Sequence, residues 1–296
     1  MSEAQSVSAK CSLGRRRMCQ FLGKPRSSFY YAPTPPTVGA LGRRGPKPKV
    51  SDEDVLSHIR RVLAESPFLG EGHRKVHARL KWDGVTVGRD RVLRIMAENE
   101  LLAPHRARRE LGPRAHEGTI QSKTTNEMWG TDLTFTSTEE DGAVAVFIAV
   151  DHCNTECVGI HASPKANRFE AFEPVRQGIR TYFKTYGKDC ALGLSLRHDN
   201  GSQYISKYFQ TEISFLGIKS SPSFVRSPEG NGISERFIRT LKEQLLWIRR
   251  FKNIEELNAA LQEFKNRYNE QWLVQRHNHR SPIQIRNELL AAKAAA

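Results

Sequence analysis

Three acidic residues in this 296-residue chain stand where a carboxylate needs a reason to be. Asp132 lies midway along "EMWGTDLTFTS" (residues 127–137), whose alternation of apolar and polar residues predicts a strand. An unpaired charge in a central strand costs several kcal/mol or forces a pKa shift, so Asp132 needs a cation, and a metal is the economical one. Asp199 closes the apolar run "ALGLSLRHD" just before "NGSQY", and strand ends in α/β sheets are where ligands gather. Glu235 falls in the first turns of a helix predicted within "SPEGNGISERFIRTLKEQ" (residues 227–244), whose Ile233, Phe237, Ile238, Leu241 and Leu245 form one apolar face. Glu235 points away from that face, with Arg239 slightly to one side and Lys242 almost directly above it.

Taken alone, Glu235 and Arg239 read as a surface i, i+4 ion pair contributing a few tenths of a kcal/mol. The 35 residues between Asp199 and Glu235 decide nothing, because a chain with 32 acidic residues produces such gaps by chance. The contexts carry the argument. Three carboxylates on separate elements offer hard oxygen ligands for two Mg²⁺ or Mn²⁺ ions, with positions left for water and phosphate oxygens. Two such ions roughly 3.5 to 4 Å apart activate a nucleophile and stabilise the leaving oxygen of an in-line phosphodiester displacement. Lys242 and Arg239 then stand where they would grip a DNA backbone beside the metals.

The elements that must position these groups follow from periodicity. After residues 127–137, "AVAVFIAVD" (143–151) is a nearly continuous apolar run typical of a central strand, and "CVGIHAS" (157–163) is a third strand. A helix is predicted over 168–186, a buried strand over 191–199, a helix over 202–217, a strand at 218–224 and then the helix of Glu235. That order is mixed α/β, and it assigns 126–250 to a catalytic core with a helical segment, 251–296, behind it.

The front of the chain has another texture. Residues 1–125 carry 24 basic and 12 acidic side chains, a net of +12, against 22 and 20, a net of +2, over 126–296. The front is therefore the polyanion-binding candidate, and nucleic acid the expected polyanion. Residues 1–50 read as two short helices and a basic Pro/Gly linker containing Arg43 and Arg44, which can lie along DNA phosphates or simply be solvated. Residues 51–112 hold three helices. The first is capped by Ser51 with Asp52, Glu53 and Asp54 in its first turn, and the third exposes Arg89, Arg91 and Arg94 opposite Val92, Ile95 and Met96. This is the outline of a helix-turn-helix whose last helix enters the major groove, although a solvated basic face is the alternative. Residues 113–125 read as a linker.

Five cysteines, an odd number, give no disulfide framework. Cys153 and Cys157, with His152 and His161 nearby, lack a paired C-x-x-C spacing and read as buried thiols rather than a zinc site. No apolar run approaches the roughly 20 residues needed to span a bilayer, and no signal peptide opens the chain, so a cytoplasmic protein without a membrane partner is expected.

"WGTDLT" (129–134), "RHDNGSQY" (197–204) and "SPEGNGISERFIRTLK" (227–242) resemble the three acidic motifs of retroviral-integrase-like DDE recombinases. More narrowly, the chain is similar to the downstream-frame product of two-frame bacterial insertion-sequence transposases. Residues 70–102 resemble the helix-turn-helix block of that group and residues 264–286 its closing segment. The resemblance implies an RNase H-like core with Asp132, Asp199 and Glu235 as catalytic metal ligands for two Mg²⁺ or Mn²⁺ and Lys242 at the DNA. It implies metal-dependent cleavage and strand transfer at double-stranded element ends and target, by a homo-oligomer on DNA in a bacterial, nucleoid-associated setting. It also implies an upstream-frame protein or fusion; "MSEAQSVSAKCSLGRRRMCQFLGKP" contains no heptads of its own. Asp151 closes the second strand without a catalytic role, and His277 and His279 read as solvated surface histidines. A DNA-binding regulator descended from such an enzyme, and a nuclease that hydrolyses without joining, are the competing readings.

Overall fold

The computed structural model describes residues 14–29, 50–104, 122–223 and 231–295; Arg43, Arg44 and much of the linker before the core lie outside them. The chain divides into two compact units, 1–49 and 50–296. The first contains α1 (Arg15–Phe21) and a 3-10 turn, Arg26–Phe29, in place of the second short helix expected there.

The second unit begins as its capping chemistry dictates. Ser51 Oγ accepts from the Asp54 N–H at 3.0 Å and starts α2 (Asp52–Glu65), whose first turn carries the three acids. With α3 (His73–Trp82) and α4 (Arg89–Glu98) it encloses a small core of Val55, Ile59, Val62, Val76, Leu80, Val92, Ile95 and Met96.

The sheet comprises β1 (Met128–Thr138), β2 (Gly142–Asp151), β3 (Cys157–Ser163), β4 (Ser195–His198) and β5 (Lys219–Pro222), in the order β3-β2-β1-β4-β5. The first three strands pair antiparallel, and β4 and β5 join β1 in parallel. On one face α5 (Arg168–Tyr182), α6 (Ser202–Ile205) and α7 (Lys207–Phe215) cover Trp129, Phe147, Ala149 and Leu196. On the other, α8 (Gly232–Leu241) and α9 (Ile254–Gln271) bury Phe237, Leu241 and Phe264 against Val146, Ile148 and Val150. The run 144–150 is apolar on both sides because both sides are covered.

Several expected elements are shorter than predicted, each for a local reason. Residues 191–194 form a turn with Gly193 at φ +93°, so β4 starts at Ser195. The helix expected over 168–186 stops at Tyr182, before Lys184 at φ +61°. Ser206 adopts an extended backbone and caps α7, splitting one predicted helix into two. The helix of Glu235 changes at Lys242 into a π-helical turn, Lys242–Leu246.

The edge strand β3 is sealed by side-chain amides from α9. Asn258 accepts from Ala162 N–H at 2.9 Å and donates to its carbonyl at 3.0 Å, and Asn269 does the same to Cys157 at 2.8 and 2.9 Å. Gln262 donates to Ile160 O at 2.8 Å. Polar groups that would otherwise template another strand are thereby used up. The last helix, α10 (Pro282–Ala294), is started by a Ser281–Gln284 capping box.

The α2–α3 turn docks on this core. Phe68, 3% exposed, belongs to the same apolar cluster as Phe237 and Phe264 and meets Trp272 edge-on at 4.9 Å. Lys75 Nζ sits 2.9 Å from the centroid of the Trp272 ring. Gln244, on the π turn, accepts from Leu69 N–H at 2.8 Å and donates to Leu69 O at 3.0 Å. Among the described residues no helix is long and apolar enough to cross a membrane.

Candidate active site

Asp132 sits on β1 opposite Ile148, on the face that α8 covers. Its Oδ1 accepts the Leu133 N–H at 2.8 Å. Burial pushes its carboxyl up to about 6, with the negative charges of Asp199 and Glu235 adding to the rise and the Leu133 N–H and Lys242 opposing it. Asp199, Glu235 and Lys242 are thus near enough to Asp132 to act on it electrostatically.

The sheet explains how. Gly130 pairs with Arg197 in parallel register, and carrying that register two residues further brings Asp199, just past β4, beside Asp132. Adjacent strands lie about 4.8 Å apart, so this is a short separation for two like charges. Asp199 Oδ1 accepts the Gly201 N–H at 2.8 Å, folding the chain into α6. Behind it His198 is buried, with Nδ1 2.7 Å from Asp199 O, Nε2 2.9 Å from Ser220 Oγ and its ring stacked on Tyr204. Asn231, immediately before α8, donates from Nδ2 to Thr131 O at 3.0 Å and so pins the start of that helix next to Asp132. Glu235 follows one turn later, exposed, with its carboxyl raised by partial loss of water.

The surface ion pair between Glu235 and Arg239 is not formed: Arg239 Nε donates to Glu243 at 3.0 Å instead. Among the described residues no cation lies within ion-pair distance of Asp132, Asp199 or Glu235. Nor do any three His, Cys, Asp or Glu side chains among them close into a metal-ligating group. The carboxylates are neighbours on β1, the end of β4 and the first turns of α8 without closing into one group.

The other residues singled out by the sequence are spread more widely. Lys242 is half-buried at the end of α8 and feels Asp132. On α4, Arg91 and Arg94 are engaged by Asp52 at 2.7 and 2.5 Å, and Arg94 also by Glu98 at 2.8 Å, whereas Arg89 is exposed beside Asp90. Asp151 is fully buried, accepting from Asn126 and Cys153 N–H groups at 2.7 Å each, with Arg286 at 3.7 Å. Arg286 also pairs with Glu156, which accepts from Tyr182 Oη at 2.6 Å, so this network ties α10 to the β2–β3 hairpin. Cys153 and Cys157 are buried thiols raised by desolvation to about 11 and about 12. His277 is not a solvated histidine: its Nε2 lies 2.9 Å from Cys153 O, because the 275–280 loop folds back on the hairpin through Arg276. His198 and Asn231 were not predicted, although "RHDNGSQY" and "GNGISER" contain them; a buried polar partner leaves no periodicity to read.

Residues 123–228 and 216–282 match two families described as Integrase core domain, and residues 50–109 match one described as HTH-like domain. Residues 123–282 are thus similar to integrase core domains through two adjoining matches. Their mixed five-stranded sheet, preceded by a small all-α region, has the RNase H-like fold the motifs implied. The chain is 30% identical over 203 residues to "Transposase InsD for insertion element IS2A/D/F/H/I/K" of Escherichia coli, a match covering 67% of this chain and 66% of that protein. The chain thus spans slightly less than two thirds of that relative's length. A copy described as "Transposase InsD for insertion element IS2D", from Escherichia coli strain K12, matches with the same figures. The integrase core also resembles the catalytic core domain of BIV integrase (20% identity, 57% of this chain, 99% of that one, TM-score 0.43). A further likeness is to a chain of the simian T-cell lymphotropic virus intasome complex with PP2A regulatory subunit B56 gamma (19% identity, 73% and 74%, TM-score 0.47).

Proposed function

We propose that this protein is a divalent-metal-dependent DNA transposase that cleaves the ends of an insertion sequence and transfers them to a target. The observation that carries the reading is that Asp199 and Glu235 lie near enough to Asp132 to raise its carboxyl, while among the described residues none of the three has an ion-pair partner. The donor set fits Mg²⁺ or Mn²⁺: three carboxylates, hard oxygens only, from three elements that can close on a cation. When bound, two such ions supply activation of the attacking oxygen and stabilisation of the leaving oxygen. Asp132, Asp199 and Glu235 hold that charge and fix its place on the sheet. Lys242 and Arg239, further along the same helix, bind the phosphodiester backbone.

Residues 51–112 bind double-stranded DNA at the element end, with Arg89 exposed and able to exchange its neighbour Asp90, and Arg91 and Arg94 able to exchange Asp52, for phosphate. Arg43 and Arg44 add phosphate contacts. The protein acts as a homo-oligomer on DNA in the bacterial nucleoid, alone or fused to an upstream-frame product. Residues 126–250 supply the chemistry and 251–296 brace it.

The test is incubation with labelled element-end DNA and Mg²⁺ or Mn²⁺. Nicked and joined products from the wild type, and none from Glu235→Gln, are expected. Absence of metal-dependent cleavage, or equal cleavage by Glu235→Gln, sinks the reading; hydrolysis without joining converts it to a nuclease.

A further inference from the structure

Gly130 is a glycine inside a strand, and its surroundings show what it makes room for. A Cβ on Gly130 would lie 2.5 Å from Ser234 Oγ, 2.6 Å from His152 Nε2 and 2.8 Å from Asn231 Oδ1. All three side chains are buried, at 0%, 2% and 8% exposure. Among the described residues none of these three atoms makes a hydrogen bond, nor does His152 Nδ1. Three buried polar atoms thus converge on one point, where each costs about 1–3 kcal/mol unless a shared partner reaches it.

The place of this niche gives it a consequence. Gly130 and Asp132 share a face of β1, one pleat apart. Ser234 directly precedes Glu235, and Asn231 already holds Thr131 O through its other amide atom. His152 is fixed from the far side: its N–H donates to Met128 O at 2.9 Å, and Arg276 donates to its carbonyl at 2.7 Å. Burial, with Arg197 and Arg276 nearby, holds its imidazole down to about 4, so it is neutral and offers one donor and one acceptor.

We infer that His152, Ser234 and Asn231 form a polar clasp over Gly130 that positions Glu235 against Asp132. They are positioning residues: none supplies a ligand, and together they set where the first turn of α8 rests on β1. The inference depends on the three carboxylates forming the metal site proposed above. Residues that orient metal ligands typically contribute about 10- to 100-fold in metal affinity, which sets the size of the effect.

The experiment uses the full chain without DNA, measuring Mn²⁺ binding by calorimetry and the metal-free melting temperature. His152→Phe and Ser234→Ala should each weaken Mn²⁺ binding about tenfold or more, while His152→Gln, which restores a donor and an acceptor, should stay within about threefold of wild type. Melting of Ser234→Ala should remain near wild type, which separates positioning from folding. If His152→Phe does not fold, Ser234→Ala decides. Wild-type Mn²⁺ affinity in both variants, or a loss equal in His152→Phe and His152→Gln, overturns the clasp and leaves the proposed function standing. A wild type that binds no Mn²⁺ overturns the metal site itself, and the clasp with it.

Discussion

At the scale of single residues the site is a set of charges held at a cost. Asp132 is partly buried, lies beside Asp199 in register and has no cation in ion-pair range among the described residues, so its ionised form destabilises the metal-free fold. Asp132→Asn should therefore raise metal-free stability by about 1 kcal/mol, allowing for its partial exposure, while cutting metal-dependent cleavage by about a thousandfold or more. Thermal denaturation in chelator and a cleavage assay check the two halves; a destabilised Asp132→Asn would show that the carboxylate is structural. Asp132 and Asp199 stood out in the sequence as candidates because each occupies a place where a solvated acid is out of character, whereas the exposed Glu235 stood out only beside them. The clasp did not, since His152, Ser234 and Asn231 meet only after folding. The one local clue was Gly130 within "WGTDLT": a glycine in a strand often marks a close approach.

At the scale of elements, the strand pattern was legible because β2 and β3 are apolar and long enough to show it. The breaks were harder to see, because Ser206, Gly193 and the π turn at Lys242 are set by backbone geometry that leaves the apolar pattern unchanged. Helix α4 offers its own lesson. Of the three arginines expected outside only Arg89 is exposed; Arg91 and Arg94 are half-buried, held by Asp52 from the first turn of α2. Arg94 and Arg91 hold the Asp52 carboxyl below its usual range through their hydrogen bonds. If these arginines contact phosphate, Asp52→Asn should tighten DNA binding and steepen the plot of log K against log [salt] by about one to two units, because two cations no longer have to leave a carboxylate. An unchanged slope would show that Arg91 and Arg94 are braces between α2 and α4. A second element-scale expectation concerns the sealed edge of β3. Asn269→Ala leaves the Cys157 N–H and C=O buried and unpartnered, and should cost about 2–4 kcal/mol by chemical denaturation.

At the scale of the whole molecule, the docking of the α2–α3 turn on the core had no signature in the sequence: Phe68 and Trp272 belong to segments that read as a loop and a helix end. Phe68→Ala should lower stability by about 3–5 kcal/mol and split one melting transition into two, releasing α2–α4 from the core. A single, merely lowered transition would mean the two parts remain cooperative without it. The Leu69–Gln244 clamp places this contact on the helical stretch that carries Glu235 and Lys242. On the proposed function, a DNA-reading α2–α4 held to a DNA-cutting core through this contact behaves as a caliper, whose jaw opening is counted in base pairs. Inserting five base pairs between the bound sequence and the cut should then swing the scissile phosphate to the far side of the duplex and abolish cleavage. Releasing the jaw with Phe68→Ala should let cleavage spread over neighbouring phosphates.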